Sequence, residues 1–118
     1  MEDNKLLPIG SVVLLKGATH RLMIMGFSPL REEGTRKLYD YWGCFYPEGL
    51  LELDQTLVFN HNRIDKVFSE GYSDDEEKKF RAKVGKILKE VKDPDGNIVL
   101  SDEELAKYMM NVLKGGNK

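Results

Sequence analysis

Cysteine is nearly absent from this chain of 118 residues, in which Cys44 is the only one. A single thiol cannot close an internal disulfide or supply a cysteine-rich metal site. Because Cys44 lies within an aromatic stretch, we expect it to be a small, buried apolar side chain.

Long apolar runs are also lacking, and no stretch approaches the roughly 20 residues that a membrane-spanning helix needs. The apolar run near the N-terminus stops at Pro8, so we expect no signal peptide. A formal net charge of −2 gives no general attraction to nucleic acid or acidic lipid. With a length that fits one compact domain, these features predict a cytoplasmic protein that does not insert into a membrane.

An aromatic stretch at residues 39–49, YDYWGCFYPEG, organises the rest of the chain. Large side chains occupy both odd and even positions, which point to opposite faces of a strand: Tyr41 and Phe45 lie on one face, and Trp42 and Tyr46 lie on the other. This pattern is typical of a strand that is covered on both sides. We therefore expect these four residues to belong to the structural core.

Short apolar runs before and after the aromatic stretch predict further strands. The runs at 12–16 and 20–27 are separated by a three-residue loop, which favours an antiparallel hairpin. Another run, at 64–70, predicts a later strand. The apolar residues at 50–59 match neither the strand period nor the helix period, so no firm element is predicted there. The sequence thus predicts a small β domain at residues 1–72, either a curved antiparallel sheet or an SH3-like barrel.

Two capping boxes predict helices near the end of the chain, one at Ser73 to Glu76 and one at Ser101 to Glu104. Apolar residues recur at helical spacing after each box. They are Phe80, Val84, Ile87, Leu88 and Val91 in the first helix, and Leu105, Met109, Val112 and Leu113 in the second. We expect a C-terminal helical hairpin at residues 73–118, packed as one unit with the β domain in an α+β fold.

The second predicted helix is a candidate partner-binding element. Tyr108 and Met110 widen its apolar stripe beyond what a core-facing helix requires, and methionine adapts readily to irregular partner surfaces. The predicted partner-binding residues are Leu105, Tyr108, Met109, Met110, Val112 and Leu113. The competing interpretation, that this helix packs wholly on the preceding helix, stays open.

Several motifs in order resemble a known family. They are LPIGSVVLLKG at 7–17, LMIMG at 22–26, the aromatic stretch, and the segment from Phe59-Asn60-His61 to Glu70-Gly71-Tyr72. The family consists of small uncharacterised proteins of Gram-positive bacteria that are often encoded near type VII secretion systems and their toxins, and the similarity covers roughly residues 6–80. The resemblance implies a cytoplasmic accessory, an adaptor or chaperone for an exported protein, and it supplies no catalytic residues.

A small hydrolase or transferase that uses Cys44 or His61 is the alternative from a different functional class. A cysteine–histidine site needs a base within hydrogen-bond reach of the nucleophile and an oxyanion hole, and the sequence indicates neither. We therefore favour a non-enzymatic protein with no catalytic residues.

Two charged segments resemble ligand sites, but each has a simpler structural interpretation. The segment 93–98 is similar to part of a calcium loop, but Val91 occupies the first ligand position, and an Asp-Pro-Asp-Gly turn accounts for the same residues. Seven bases between 78 and 92 are opposed by Glu90 alone, a pattern that a solvated amphipathic helix also produces. We expect no metal, no cofactor and no nucleic acid; the expected partner is a helical protein, and a homo-oligomer stays open.

Overall fold

The computed structural model describes residues 6–27, 37–52 and 55–116, except for the side chains of Met109 and of residues 112–116. Five strands precede two helices, which confirms the predicted α+β class. The elements are β1 (Val12–Leu15), β2 (Leu22–Phe27), β3 (Tyr41–Phe45), β4 (Leu57–Phe59), a 3-10 turn (His61–Arg63), β5 (Ile64–Ser69), α1 (Asp75–Val91) and α2 (Asp102–Gly116). None of the helices in the described parts is long and apolar enough to cross a membrane.

The strands form one antiparallel sheet in the order β4-β3-β2-β1-β5. The sheet is curved and open, because β4 and β5 lie at opposite edges. Of the two predicted arrangements, the curved antiparallel sheet is confirmed and the SH3-like barrel is not formed. Strand β4 was not predicted, because it has only three residues and lies within 50–59, where the apolar residues match neither the strand nor the helix period.

One face of the sheet, called here the inner face, carries the hydrophobic core. Paired residues in an antiparallel sheet point to the same face, and the pairs Val13–Leu22, Ile24–Gly43 and Tyr41–Phe59 lie on this one. Helix α1 covers it. The buried residues that α1 contributes to this core are Val84, Leu88 and Val91.

The predicted apolar stripes of the two helices are only partly buried. Phe80 is 54% exposed, although its ring centre lies 6.4 Å from that of Phe27 in β2. In α2, Leu105 and Tyr108 are half-buried and pack against the inner core. Both helices therefore lie on the same side of the sheet.

Two of the four residues predicted for the structural core are not in it. Trp42 is 40% exposed and Tyr46 is 36% exposed, so their assignment to the core was wrong. The physical reason is that both helices cover the inner face, whereas Trp42 points to the opposite face of β3. Tyr41, in contrast, is completely buried, and Phe45 is half-buried against the core.

The helix caps follow the predicted chemistry, with one shift in position. At α2 the capping box is complete, because the Glu104 amide donates to Ser101 Oγ (3.1 Å) and the Ser101 amide donates to Glu104 Oε1 (2.9 Å). At α1 the N-cap is Asp74 rather than Ser73, and its carboxylate accepts the Glu77 amide at 2.8 Å. An aspartate and a serine are comparable N-caps, so the neighbouring aspartate can take this place.

Candidate functional site

The sheet face that points away from the helices, called here the outer face, is formed mainly by apolar side chains, of which Val12 and Cys44 are buried. Strand register places the following side chains on it: Val12, Leu14, Met23, Trp42, Cys44, Val58 and Lys66. Trp42 lies opposite Gly26 at a bulge in β2, where an added Cβ would be 3.6 Å from the indole. This is an ordinary contact distance, so the indole lies against the neighbouring strand at Gly26.

Two further aromatic rings lie beside basic side chains near this face. The guanidinium carbon of Arg21 is 5.1 Å from the ring centre of Tyr46 and 6.0 Å from that of Phe68. The amine of Lys66 is also 6.0 Å from the Phe68 ring centre. Such cation–π contacts contribute about 0.5–1 kcal/mol each at exposed sites. They favour the present positions of rings that remain open to solvent, since Phe68 is 50% exposed.

The residues predicted to bind a partner through α2 have different environments. Leu105 and Tyr108 contact the core, and the Tyr108 hydroxyl donates a hydrogen bond to the Glu90 carboxylate of α1. Partial burial, followed by the effect of Glu90, raises the pKa of Tyr108 to about 12. Met110 is 60% exposed. The side chains of Met109, Val112 and Leu113 lie outside the described part, so the prediction for α2 stays a prediction.

The two residues of the enzymatic alternative lie on opposite sides of the sheet. Cys44 is on the outer face and only 2% exposed, and burial raises the pKa of its thiol. A buried thiol that resists ionisation is a poor nucleophile. His61 lies on the inner side, where its Nδ1 is 2.6 Å from the Tyr41 hydroxyl. The structure therefore does not bring Cys44 and His61 together.

The contact between Tyr41 and His61 indicates which nitrogen of the imidazole carries a proton. The Tyr41 hydroxyl accepts the Leu7 amide at 2.9 Å, so its own proton is available to His61 Nδ1. Burial raises the pKa of Tyr41 far above its ordinary value, which keeps this donor protonated. We infer that Nδ1 is the acceptor, so the neutral imidazole carries its proton on Nε2.

A buried ion pair, which no local pattern of residues indicates, lies beside this contact. Lys92 is at the end of α1 with its side chain only 4% exposed, and its amine is 3.0 Å from Asp40 Oδ1. The same amine donates to Asn60 Oδ1 (3.0 Å) and to the Asp93 carbonyl (3.3 Å). The second Asp40 oxygen accepts the His61 amide at 2.8 Å. Because the three N–H donors of the amine have three acceptors, this arrangement is suited to holding elements together rather than to proton transfer.

The turn after α1 uses its acidic residues internally. Asp93 Oδ1 accepts the amides of Asp95 (3.0 Å) and Asn97 (2.9 Å), and Asp93 Oδ2 accepts the Asn97 side chain (3.0 Å). The hydrogen bond from the Asn97 backbone is the main reason why the pKa of Asp93 is lowered. No group of three or more histidine, cysteine, aspartate or glutamate side chains suited to hold a metal ion occurs among the described residues.

A pocket of about 460 Å³ opens next to the buried ion pair. It lies between the segment before β1, the second half of α1, the 3-10 turn and the turn after α1. Besides the residues of the ion pair and its turn, the lining includes Leu6, Asn62, Gly85, Leu88, Lys89 and Pro94. Its volume is within the range of sites that bind small molecules or single side chains.

Comparison with known proteins identifies one family. The model of DUF4176, a domain of unknown function, matches residues 6–80. The matched part contains all five strands and only the first turns of α1. No curated protein matches the chain, and no solved structure does.

Proposed function

The chain belongs to the family of DUF4176 domains of unknown function, and we propose that it is a non-enzymatic accessory protein that binds a helical protein partner. The resemblance of its motifs to proteins encoded near type VII secretion loci gives the proposal its context. In that context the partner is an exported substrate or a companion of a toxin. The accessory acts as an adaptor or chaperone in the cytoplasm before export.

The observation that carries the proposal is the exposed aromatic surface on and beside the outer face. Trp42 and Phe68 keep 40% and 50% of their surface in solvent, and large aromatic side chains are enriched in the buried centres of protein interfaces. Exposed apolar patches on a folded domain commonly mark interaction sites. The outer face therefore provides anchor residues without a change of fold.

A helix is the expected element on this surface because the inner face already shows the same packing. Helix α1 covers the inner face with one apolar stripe, and the core residue Leu88 is only 4% exposed there. A partner helix on the outer face would complete a second layer, so that the sheet is covered on both sides. Basic Arg21 and Lys66 beside the aromatic rings favour a helix with acidic residues at the edges of its apolar stripe.

Affinity capture from the native host, with the wild-type protein as bait, tests the proposal. A captured protein is identified by mass spectrometry, purified, and titrated against wild-type and variant protein. We expect Trp42→Ser/Phe68→Ser to weaken its binding by at least about a hundredfold, the scale for loss of two anchor residues. Val99→Ser is the matched control, since Val99 is 59% exposed but lies in the connection between the helices, and it should bind as the wild type does.

The same titration separates the two candidate surfaces. If Met110→Ser weakens binding and the double variant of the outer face does not, the partner binds α2 instead. If neither changes binding, both surfaces are excluded as the main contact. The role of the outer face is overturned by either result.

A further inference from the structure

A glycine in the interior of α1 lines the pocket, and packing does not require it there. Gly85 has ten residues of α1 before it and six after it, and glycine is among the least favourable residues in a helix interior. A Cβ built at this position would meet nothing closer than Leu6 Cδ1 at 4.0 Å, an ordinary contact distance. A methyl group would therefore fit at this position, and a longer side chain would extend toward the pocket that Gly85 lines.

Three of the four charged residues that line the pocket have partners within the protein, and the fourth, Lys89, is exposed. The Lys92 amine has three acceptors, and both Asp40 oxygens are bonded. Asp93 accepts three hydrogen bonds within its own turn. Apart from Lys89, an ionic ligand would therefore find little unsatisfied charge here, whereas an apolar group would meet Leu6, Leu88 and the Pro94 ring.

Asn62 adds a polar contact at the rim of the pocket. Its side-chain amide donates to the Pro94 carbonyl over 3.4 Å, and the pair is exposed. This is a long hydrogen bond, near the limit of effective geometry, so a competing partner can replace it at little cost. A carboxamide offers both a donor and an acceptor, which are the two groups that a peptide unit needs.

We propose that the pocket binds a large apolar side chain of a peptide segment, whose backbone is hydrogen-bonded by Asn62, and that Gly85 keeps the pocket open. The site is separate from the outer face, because the pocket lies on the side of the sheet that the helices cover. The proposal for the pocket can therefore be wrong without affecting the proposed role of the outer face, and the reverse also holds.

Nuclear magnetic resonance titration of the full chain tests this inference with defined probes. N-acetyl-tryptophanamide carries the apolar ring and two amides, 3-methylindole carries the ring alone, and N-acetyl-glycinamide carries the amides alone. We expect saturable shifts of the backbone amides of Gly85, Leu88 and Asn62 with the first two probes. The glycine probe should cause no saturable shift, since the apolar group supplies most of the binding.

Variants locate the site and separate its two parts. Gly85→Leu should weaken the binding of both indole probes by about tenfold or more, because the leucine occupies the space of the ring. Ala82→Leu is the matched control, since it adds the same side chain to an exposed position of α1 that does not line the pocket. Asn62→Ala should weaken N-acetyl-tryptophanamide about threefold or more, the scale of one hydrogen bond, and leave 3-methylindole unchanged.

Three results would overturn the inference. The first is a wild-type shift map centred on residues other than the pocket lining, which needs no variant and holds even if Gly85→Leu does not fold. The second is equal weakening by Gly85→Leu and Ala82→Leu. The third is tight binding of N-acetyl-glycinamide, which would show that the pocket recognises amides without an apolar side chain.

Discussion

Lys92 is the residue whose environment departs most from the expectation for its type. Lysine is rarely buried without a partner, and the sequence around Lys92 resembles the end of an ordinary solvated helix. Its amine is instead held by Asp40, Asn60 and the Asp93 carbonyl. Such a contact joins residues that are far apart in the chain, so the local pattern of charges could not reveal it.

Replacing Lys92 by methionine should lower the free energy of unfolding by about 3 kcal/mol, because the Asp40 carboxylate loses its buried counter-charge. Urea denaturation followed by circular dichroism measures the change. The double variant Asp40→Asn/Lys92→Met should regain part of the loss, since no uncompensated charge remains. A single variant within about 0.5 kcal/mol of the wild type would mean that the pair contributes no more than a surface salt bridge.

Cys44 was predicted to be a small buried side chain, and its 2% exposure confirms this. We expect a thiol reagent to modify Cys44 much more slowly in the native protein than in urea, because burial both blocks access and raises the pKa of the thiol. Cys44→Ser should retain partner binding and any biological activity. Fast native labelling, together with loss of activity in Cys44→Ser, would instead support the enzymatic alternative.

At the scale of elements, the helices were easier to predict than the sheet. The capping box at Ser101 and the helical spacing of Val84 and Leu88 are local signals, and both were confirmed. Strand β4 has three residues, too few for a period to show. Its place in the sheet is fixed by pairing with β3, a contact that propensity does not encode.

Tyr108 joins α2 to α1, and its titration should report on that contact. Its pKa is raised to about 12 in the folded protein, against about 10 in an unfolded chain. The resulting stability is present below pH 10 and is lost as the pH rises through 12, because the unfolded chain releases this proton first. We expect Tyr108→Phe to lose stability less steeply than the wild type between pH 10 and 12.

Urea midpoints measured at several alkaline pH values provide this comparison. Tyr41 also has a raised pKa and is present in both proteins, so the difference between the two curves isolates Tyr108. Parallel curves would show that the hydroxyl gains nothing from Glu90 and that α2 is held by its apolar contacts alone.

At the scale of the whole molecule, the sequence could predict a sheet but not how many of its faces the helices would cover. Apolar residues on both parities of β3 suggested two covered faces. Both helices pack on the inner face, so Tyr41 is buried and Trp42 is not. The pocket was also beyond prediction, because it forms where segments that are distant in sequence meet.

Because both helices cover the inner face and not the outer face, we expect the two faces to contribute differently to stability. Phe59→Ala on the inner face should cost about 3–5 kcal/mol, since it leaves a cavity beside Tyr41 in a closed core. Trp42→Ala on the outer face should cost about 1 kcal/mol or less, because a ring that is 40% exposed loses little burial. Both are measured by urea denaturation under the same conditions. A loss of 3 kcal/mol or more in Trp42→Ala would mean that the indole belongs to the core after all, and the outer face would then lose its central anchor for a partner.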